Sequence, residues 1–253
     1  YLPGPPRQRR RLRGAVPVGA WFLCAMTFFW ARSQNAPGIS RWDDQQARTF
    51  SGLLIAEPYP MLFVDDAGGA GSAPLLLVEV GKHGGQRAAT LDGQWVTVSG
   101  WVLERDGRKM LEMEPGAAAF PPKQGISDPR LTEREKSTPQ VTVIGRSTLR
   151  GEIVDAKCYL GAMRPGEGKT HKDCATLCIR GGIPPVLVVN GRTGNPEYYL
   201  LTNEQGGALD VSVLPLVADP VEMTGVVGTW GGSGGSEGGL RVFRVGVKAI
   251  RRL

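Results

Sequence analysis

Short runs of alternating or continuous hydrophobic residues, separated by clusters of Gly, Asp and Pro, occupy most of the chain after residue 45. In the first half these runs are TFSGLLIAEPYPMLFV, PLLLVEVG and LDGQWVTVSGWVLERDGRKMLEM. Period-two alternation bounded by turn residues predicts β-strands, and the pattern indicates no long helix here. The 36 glycines and 19 prolines agree with many turns, so the predicted fold class is mainly β.

The second half repeats the order of the first. The segment 49–52 (TFSG) corresponds to 148–151 (TLRG), and 95–100 (WVTVSG) corresponds to 220–225 (PVEMTG). Self-similarity of this kind indicates one structural unit used twice. Five short strands with a late V-x-V-x-G-x-V strand are typical of the OB-fold, so we expect two tandem OB-fold-like small barrels.

These patterns also predict the domain boundaries. We expect the first barrel over residues 45–115 and the second over residues 148–253. The intervening residues 116–147 are rich in Pro and charge, which is typical of a linker. The second copy is longer than the first, mainly because of a Cys- and His-containing insertion at residues 156–182.

The N-terminus combines a basic segment with an uncharged one. Residues 1–14 carry five arginines, and residues 15–31 (AVPVGAWFLCAMTFFWA) have no charge. Because Lys and Arg resist translocation, this order predicts a cytoplasmic arm, a single-pass anchor in the inner membrane and a periplasmic remainder. A cleaved signal peptide is the alternative, with Ala31-Arg32-Ser33 as the cleavage region.

The net charge of +6 does not indicate nucleic-acid binding. Five of the positive charges belong to the N-terminal arginines, so the remainder of the chain carries about +1. A nucleic-acid binder needs a basic surface on its folded part, and a single-strand binder also needs aromatic platforms. We therefore expect no nucleic acid among the partners.

The segment DAKCYLGAMRPGEGKTHKDCATLCIRG, residues 155–181, holds three of the four cysteines and one of the two histidines. A capping box at Thr170 and a glycine stop predict a short helix from His171 to about Arg180. On a helix, His171, Cys174 and Cys178 fall within an arc of about 60°. Cys158, from the end of the preceding strand, completes a candidate set of four metal ligands.

Three interpretations of this set stay open. Soft sulfur and nitrogen donors suit Zn²⁺ or Cu(I), although C-x₁₅-C-x₃-C is not a standard zinc spacing. A disulfide from Cys158 to Cys174 or Cys178 would staple the insertion in an oxidising compartment. The thiol left over, beside a histidine, could instead be redox-active.

The order G-x-I-x-D-x-x-C, then H-x-x-C-x-x-x-C, then GIPPVLV resembles a group of bacterial secreted or membrane-anchored proteins over residues 148–201. The resemblance implies that the Cys/His set is one unit, and it implies no activity. Asp155 is expected either to orient His171 through a hydrogen bond to its ring or to cap a turn. The other histidine, His83, lies in a glycine-rich turn and is expected to be solvated.

The function expected from these patterns is that of a membrane-anchored periplasmic accessory protein, more a binding protein than an enzyme. Its Cys/His site would bind Zn or Cu or act as a redox-sensitive staple, and its partner would be another membrane or periplasmic protein. The alternatives are a thiol-disulfide oxidoreductase and a purely structural protein-binding module with a disulfide. No nucleophile elbow, phosphate loop or HExxH motif is present in the sequence.

Overall fold

The computed structural model describes residues 6–33, 39–64, 74–121, 140–190, 196–230 and 239–253. It divides into two units, Tyr1–Gly38 and Ile39–Leu253, and the candidate site lies in the second.

The described part of the N-terminal unit is one helix, α1, which spans Pro6–Ser33 and contains Pro17. The predicted anchor, residues 15–31, is helical throughout. None of the helices in the described part of the chain is long and apolar enough to cross a membrane.

The first half of the second unit is a closed five-stranded barrel. Its strands are β1 (Ser40–Ile55), β2 (Met61–Val64), β3 (Leu75–Val78), β4 (Trp95–Arg105) and β5 (Arg108–Met113). They pair in the order β1-β2-β3-β5-β4, with β4 returning to β1 and with β3 and β5 parallel. The alternating and continuous hydrophobic runs supply the inward-facing leucines and methionines of this barrel.

The second half is a six-stranded sheet. Its strands are β6 (Thr142–Asp155), β7 (Pro185–Asn190), β8 (Pro196–Thr202), β9 (Pro220–Trp230), β10 (Leu240–Arg244) and β11 (Ile250–Arg252). They lie in the order β10-β8-β7-β6-β9-β11, and β10 also pairs with β9. β8 and β10 are parallel, as β3 and β5 are in the first half. The prediction of a mainly β protein with two β units and few helices is therefore confirmed.

The two halves share a hydrophobic core. One cluster of buried side chains includes Leu53, Met61 and Leu76 from the first half together with Val154 and Leu200 from the second. Each half also has a cluster of its own. Residues 39–253 accordingly form one compact unit.

Part of the predicted linker, residues 122–139, lies outside the described residues. β6 begins at Thr142, so the end of the span predicted as linker is strand.

The connection between β6 and β7 carries the Cys/His segment. It contains one π-helical turn, Cys158–Ala162, a 3₁₀ turn, Lys169–His171, and the helix α2, Lys172–Arg180. The predicted short helix is thus present, but it begins at Lys172, with His171 at the N-cap position and no side-chain cap bond, so the predicted capping box at Thr170 is not formed. The predicted glycine stop is confirmed, since Gly181 is the C-cap residue. The π-helical turn was not predicted, and Gly161 inside it has φ 152°, where a glycine is favoured.

Candidate functional site

The site begins at the last residue of β6. Asp155 is fully buried, and its Oδ1 accepts a hydrogen bond of 2.8 Å from the backbone N–H of Cys158. This contact ends the strand and starts the turn that places the Cys158 side chain. The local geometry follows from sequence, because Asp commonly caps the backbone of residues just after it.

The helix α2 supplies the other side of the site. His171 lies just before its first residue, and Cys174 and Cys178 follow on the same face. Nε2 of His171 lies 3.1 Å from Oδ2 of Asp155. Each oxygen of Asp155 therefore accepts or shares one hydrogen bond. Nδ1 is the other ring nitrogen of His171, and it is the one that could bind a metal ion. Asp155 thus makes the predicted contact with the His171 ring and also caps the turn at Cys158.

The ligand atoms fall into two overlapping groups. Those of Cys158, His171 and Cys174 lie within 4.8 Å of one another, and so do those of Asp155, Cys158 and Cys178. Cys158 Sγ belongs to both groups, so all four predicted ligands converge around it. Such a Cys/His cluster could hold a metal ion.

The predicted disulfide is not present. Among the described residues all four cysteines are free thiols. The sulfur atoms of Cys158 and Cys178 lie 3.9 Å apart, almost twice the length of an S–S bond of about 2.05 Å. The separation is instead close to the edge of a tetrahedron with metal–sulfur bonds of about 2.3 Å, which is about 3.8 Å.

Burial makes the cluster asymmetric. Cys158, Cys178 and His171 are 4%, 2% and 3% exposed. Cys174, one turn before Cys178 on α2, is only partly buried. Solvent therefore reaches the cluster from the Cys174 side.

The cluster also contains a cation that the sequence did not indicate. Nζ of Lys82, in the loop after β3, donates to Cys174 Sγ at 2.8 Å and lies 3.7 Å from Cys178 Sγ. The hydrogen bond to Cys174 raises the pKa of Lys82, so the side chain is an ammonium ion. The first half of the protein thus contributes a charge to a site whose cysteines belong to the second half.

A buried lysine holds this loop in place. Nζ of Lys157, next to Cys158 in the chain, donates to the carbonyl oxygens of Glu79 at 2.8 Å and Gly81 at 2.7 Å. It also forms a buried ion pair of 3.1 Å with Glu112. The pair and the two carbonyls fix the backbone that precedes Lys82.

The far side of the same loop contacts the end of α2. The N–H of Gly84 donates to the carbonyl of Gly181 at 2.9 Å. A Cβ on Gly84 would lie 2.3 Å from the carbonyl oxygen of Gly182, so the two backbones approach closely only because glycine is present. The glycine-rich segment around Lys82, predicted to be a turn, therefore also packs against the residues that follow α2.

The two buried thiols, Cys158 and Cys178, are hydrogen-bonded to each other and differ in acidity for that reason. A hydrogen bond with Cys158 lowers the pKa of Cys178 to about 7. The same hydrogen bond, with burial, raises the pKa of Cys158. The negative charge of the metal-free pair therefore develops first on Cys178, while Cys158 keeps its proton.

His83 is exposed beside Lys82 and belongs to neither group of ligand atoms. This agrees with the expected solvated position of that residue.

Comparison of the chain with protein-family models, with curated proteins and with solved structures finds no match. Function must therefore be inferred from the chemistry of the site, because a fold by itself specifies no activity.

Proposed function

We propose that this chain is a metal-binding protein that holds one Zn²⁺ or Cu(I) ion through Cys158, His171, Cys174 and Cys178. The observation that carries the proposal is that three thiols and one imidazole lie in two overlapping groups around Cys158 Sγ, largely buried, with a buried carboxylate at Nε2 of the imidazole. Thiolate and imidazole donors are those that these two ions prefer.

The role of Asp155 supports a metal more than a structural thiol cluster. Metal-binding histidines usually donate their second ring nitrogen to a carboxylate, which fixes the ring and raises its basicity. A histidine that only fills space in a core does not need a fully buried carboxylate at 3.1 Å. The free ring nitrogen and the thiols would then bind the ion.

The scaffold and the location are part of the same proposal. The pairing order of β1–β5, with its parallel β3–β5 pair, and the corresponding order of β6–β10 support two OB-fold-like barrels. The arginines before residue 15 support a location outside the cytoplasm for the β unit. A membrane or periplasmic protein would then be the partner.

A second candidate is a thiol-disulfide oxidoreductase, favoured by the ammonium of Lys82 at 2.8 Å from the partly exposed Cys174. In that function Cys174 would attack an external disulfide and Cys158, which lies in the same group of atoms, would resolve the mixed disulfide. Once an ion is bound, Cys174 Sγ is one of its ligands and is not available to attack a disulfide.

The test is metal binding by the reduced full-length chain, measured separately with Zn²⁺ and with Cu(I) under anaerobic conditions. We expect one ion per chain, and His171→Ala and Cys174→Ser should each weaken binding about tenfold or more, since each removes a ligand. His83→Ala and Cys24→Ser are matched controls, because these exposed residues lie outside the cluster.

The opposite outcome is equally clear. If the reduced chain binds neither ion, the metal proposal is wrong. Catalysed reduction of a small disulfide substrate that is lost in Cys174→Ser would then establish the oxidoreductase.

A further inference from the structure

The metal site has a closed side and an open side. Cys158, Cys178 and His171 are almost completely buried, whereas Cys174 is partly exposed. Four protein ligands leave no open coordination position on the ion, so exchange requires that one of them be displaced, and an incoming molecule can displace only a ligand that it can reach. The asymmetry therefore identifies Cys174 as the ligand that an incoming molecule meets first.

The open side is also where the cation lies. Lys82 is exposed, and its ammonium donates to Cys174 Sγ at 2.8 Å, nearly an ångström closer than to Cys178 Sγ at 3.7 Å. Lys157 bonds the carbonyls of Glu79 and Gly81, and these bonds fix the backbone from which the Lys82 side chain extends. Among the three thiols, Cys174 therefore receives the strongest contact from this ammonium.

An ammonium at a metal-bound thiolate weakens the metal–sulfur bond in two ways. Its N–H draws on the same sulfur lone pairs that the ion uses, and its positive charge repels the ion. It also stabilises the thiolate when the ion has left, because the charge stays paired. All three effects lower the barrier for breaking the bond to Cys174 relative to the bonds of the buried ligands.

We infer that Lys82 and Cys174 make this an exchange site, at which the ion is passed to or taken from an incoming thiol or nitrogen ligand. The inference rests on the proposed metal-binding function and adds its use, which is transfer and not structural stapling. In the step, the bond from the ion to Cys174 Sγ breaks as a bond to the incoming donor atom forms. The thiolate of Cys174 remains paired with the Lys82 ammonium, and no electron is transferred.

The test measures the rate at which the full-length chain, loaded with one equivalent of Zn²⁺ under reductant, releases the ion to a coloured chelator such as pyridylazoresorcinol. Lys82→Met should release zinc about tenfold more slowly than the unchanged protein, the lower end of the effect that hydrogen-bonding neighbours have on metal sites. Lys82→Arg keeps the charge and the N–H donors, and should release zinc at nearly the original rate.

Lys172→Met is the matched control. Lys172 is on the same helix as Cys174, but its Nζ bonds Asp219 at 2.7 Å and the carbonyl of Pro215 at 3.0 Å. This variant removes one positive charge from the same helix without removing a contact to sulfur, so its release rate should stay within about twofold of the original.

The outcomes separate this inference from the function on which it rests. If the loaded protein cannot be prepared because zinc does not bind, the proposed function is wrong. If zinc binds but Lys82→Met releases it as fast as the unchanged protein, or faster, the exchange role of Lys82 is wrong and metal binding stands. Slow release by Lys82→Arg as well would also overturn the inference, because the charge would not be what matters.

Discussion

The two halves of the β unit have the same plan and different chemistry. In both, a Cβ added to one glycine of the first long strand would collide with a neighbouring carbonyl oxygen: Gly52 with Phe63 O and Gly151 with Val188 O, each at 2.2 Å. A second pair, Gly100 and Gly225, lies equally close to carbonyl oxygens in the corresponding later strands. These glycines therefore occupy equivalent positions in the two copies of the repeat.

The difference lies in a single connection. Residues 56–60 join β1 to β2, whereas residues 156–184 join β6 to β7 and carry the cysteines and His171. The sheet around this connection is retained, which agrees with the general rule that sites are added to loops on a rigid scaffold. The repeated strands therefore provide the scaffold, and the connection between β6 and β7 provides the cysteines and His171 of the site.

The first half is nevertheless more than a copy without a site. Its loop after β3 places Lys82 at the thiols, and its Glu112 pairs with Lys157 beside Cys158. The ligands themselves all belong to the second half, but Lys82 reaches the thiols only when the halves pack together. The predictions below separate the contribution of the repeat from that of the contact between its copies.

The largest expected effect is loss of the buried ion pair between the halves. Lys157→Met leaves Glu112 buried without its partner, which typically costs about 3–5 kcal/mol. Burial already raises the pKa of Glu112, so part of this cost would appear as proton uptake. We expect the free energy of unfolding, measured with urea, to fall by this amount.

A double variant provides the control for this prediction. Lys157→Met combined with Glu112→Leu removes both charges and should recover much of the stability, because no unpaired buried charge remains. A loss below about 1 kcal/mol in Lys157→Met alone would show that the pair does not hold the halves together.

The next effect concerns the connection that makes the halves different. If the ion binds only the folded protein, Zn²⁺ at about 100 times its dissociation constant should raise the free energy of unfolding by about 2.7 kcal/mol. Cys158→Ser should remove this increase, because Cys158 belongs to both groups of ligand atoms. Cys24→Ser should leave it unchanged, and thermal melts with and without zinc measure both. An increase that persists in Cys158→Ser would mean that zinc binds elsewhere.

The sequence predicted local features and missed features that depend on packing between distant segments. Strand alternation and the paired glycines gave the β class and the repeat, and the helical spacing of His171, Cys174 and Cys178 gave one common face. These patterns are local, and the physics that produces them acts over a few residues.

Lys82 and the Lys157–Glu112 pair could not be predicted, because no periodicity connects residues that meet only when the two halves pack together. The disulfide expectation was wrong for a related reason: the sequence does not give the 3.9 Å between the sulfur atoms of Cys158 and Cys178. These two sulfur atoms are close enough to bind the same metal ion and too far apart to be bonded to each other.

The paired glycines allow the repeat itself to be tested. Gly52→Ala and Gly151→Ala each force a Cβ to within 2.2 Å of a carbonyl oxygen, so the backbones must separate. Overpacking of this kind costs about 1–3 kcal/mol, and the two variants should lose similar amounts in urea unfolding. A large loss of stability in one variant and almost none in the other would show that Gly52 and Gly151 are not equivalent.

The smallest effect is expected from Tyr59, which joins the halves by hydrogen bonds. Its hydroxyl donates to the carbonyl of Leu201 at 3.0 Å and accepts from the N–H of Leu209 at 2.9 Å. Burial raises the pKa of Tyr59 to about 12. A raised pKa means that the neutral hydroxyl stabilises the fold fully below about pH 10, the ordinary tyrosine value, and that this contribution is lost as the pH rises towards 12.

Tyr59→Phe should therefore cost about 1–2 kcal/mol near neutral pH, because the two backbone groups lose their partner, and the cost should shrink above about pH 10. Urea unfolding of both proteins across this range measures the difference, and the near-ultraviolet absorbance of tyrosinate follows the titration directly. A stability difference that stays constant to about pH 12 would mean that the Tyr59 hydroxyl is not part of the contact between the halves.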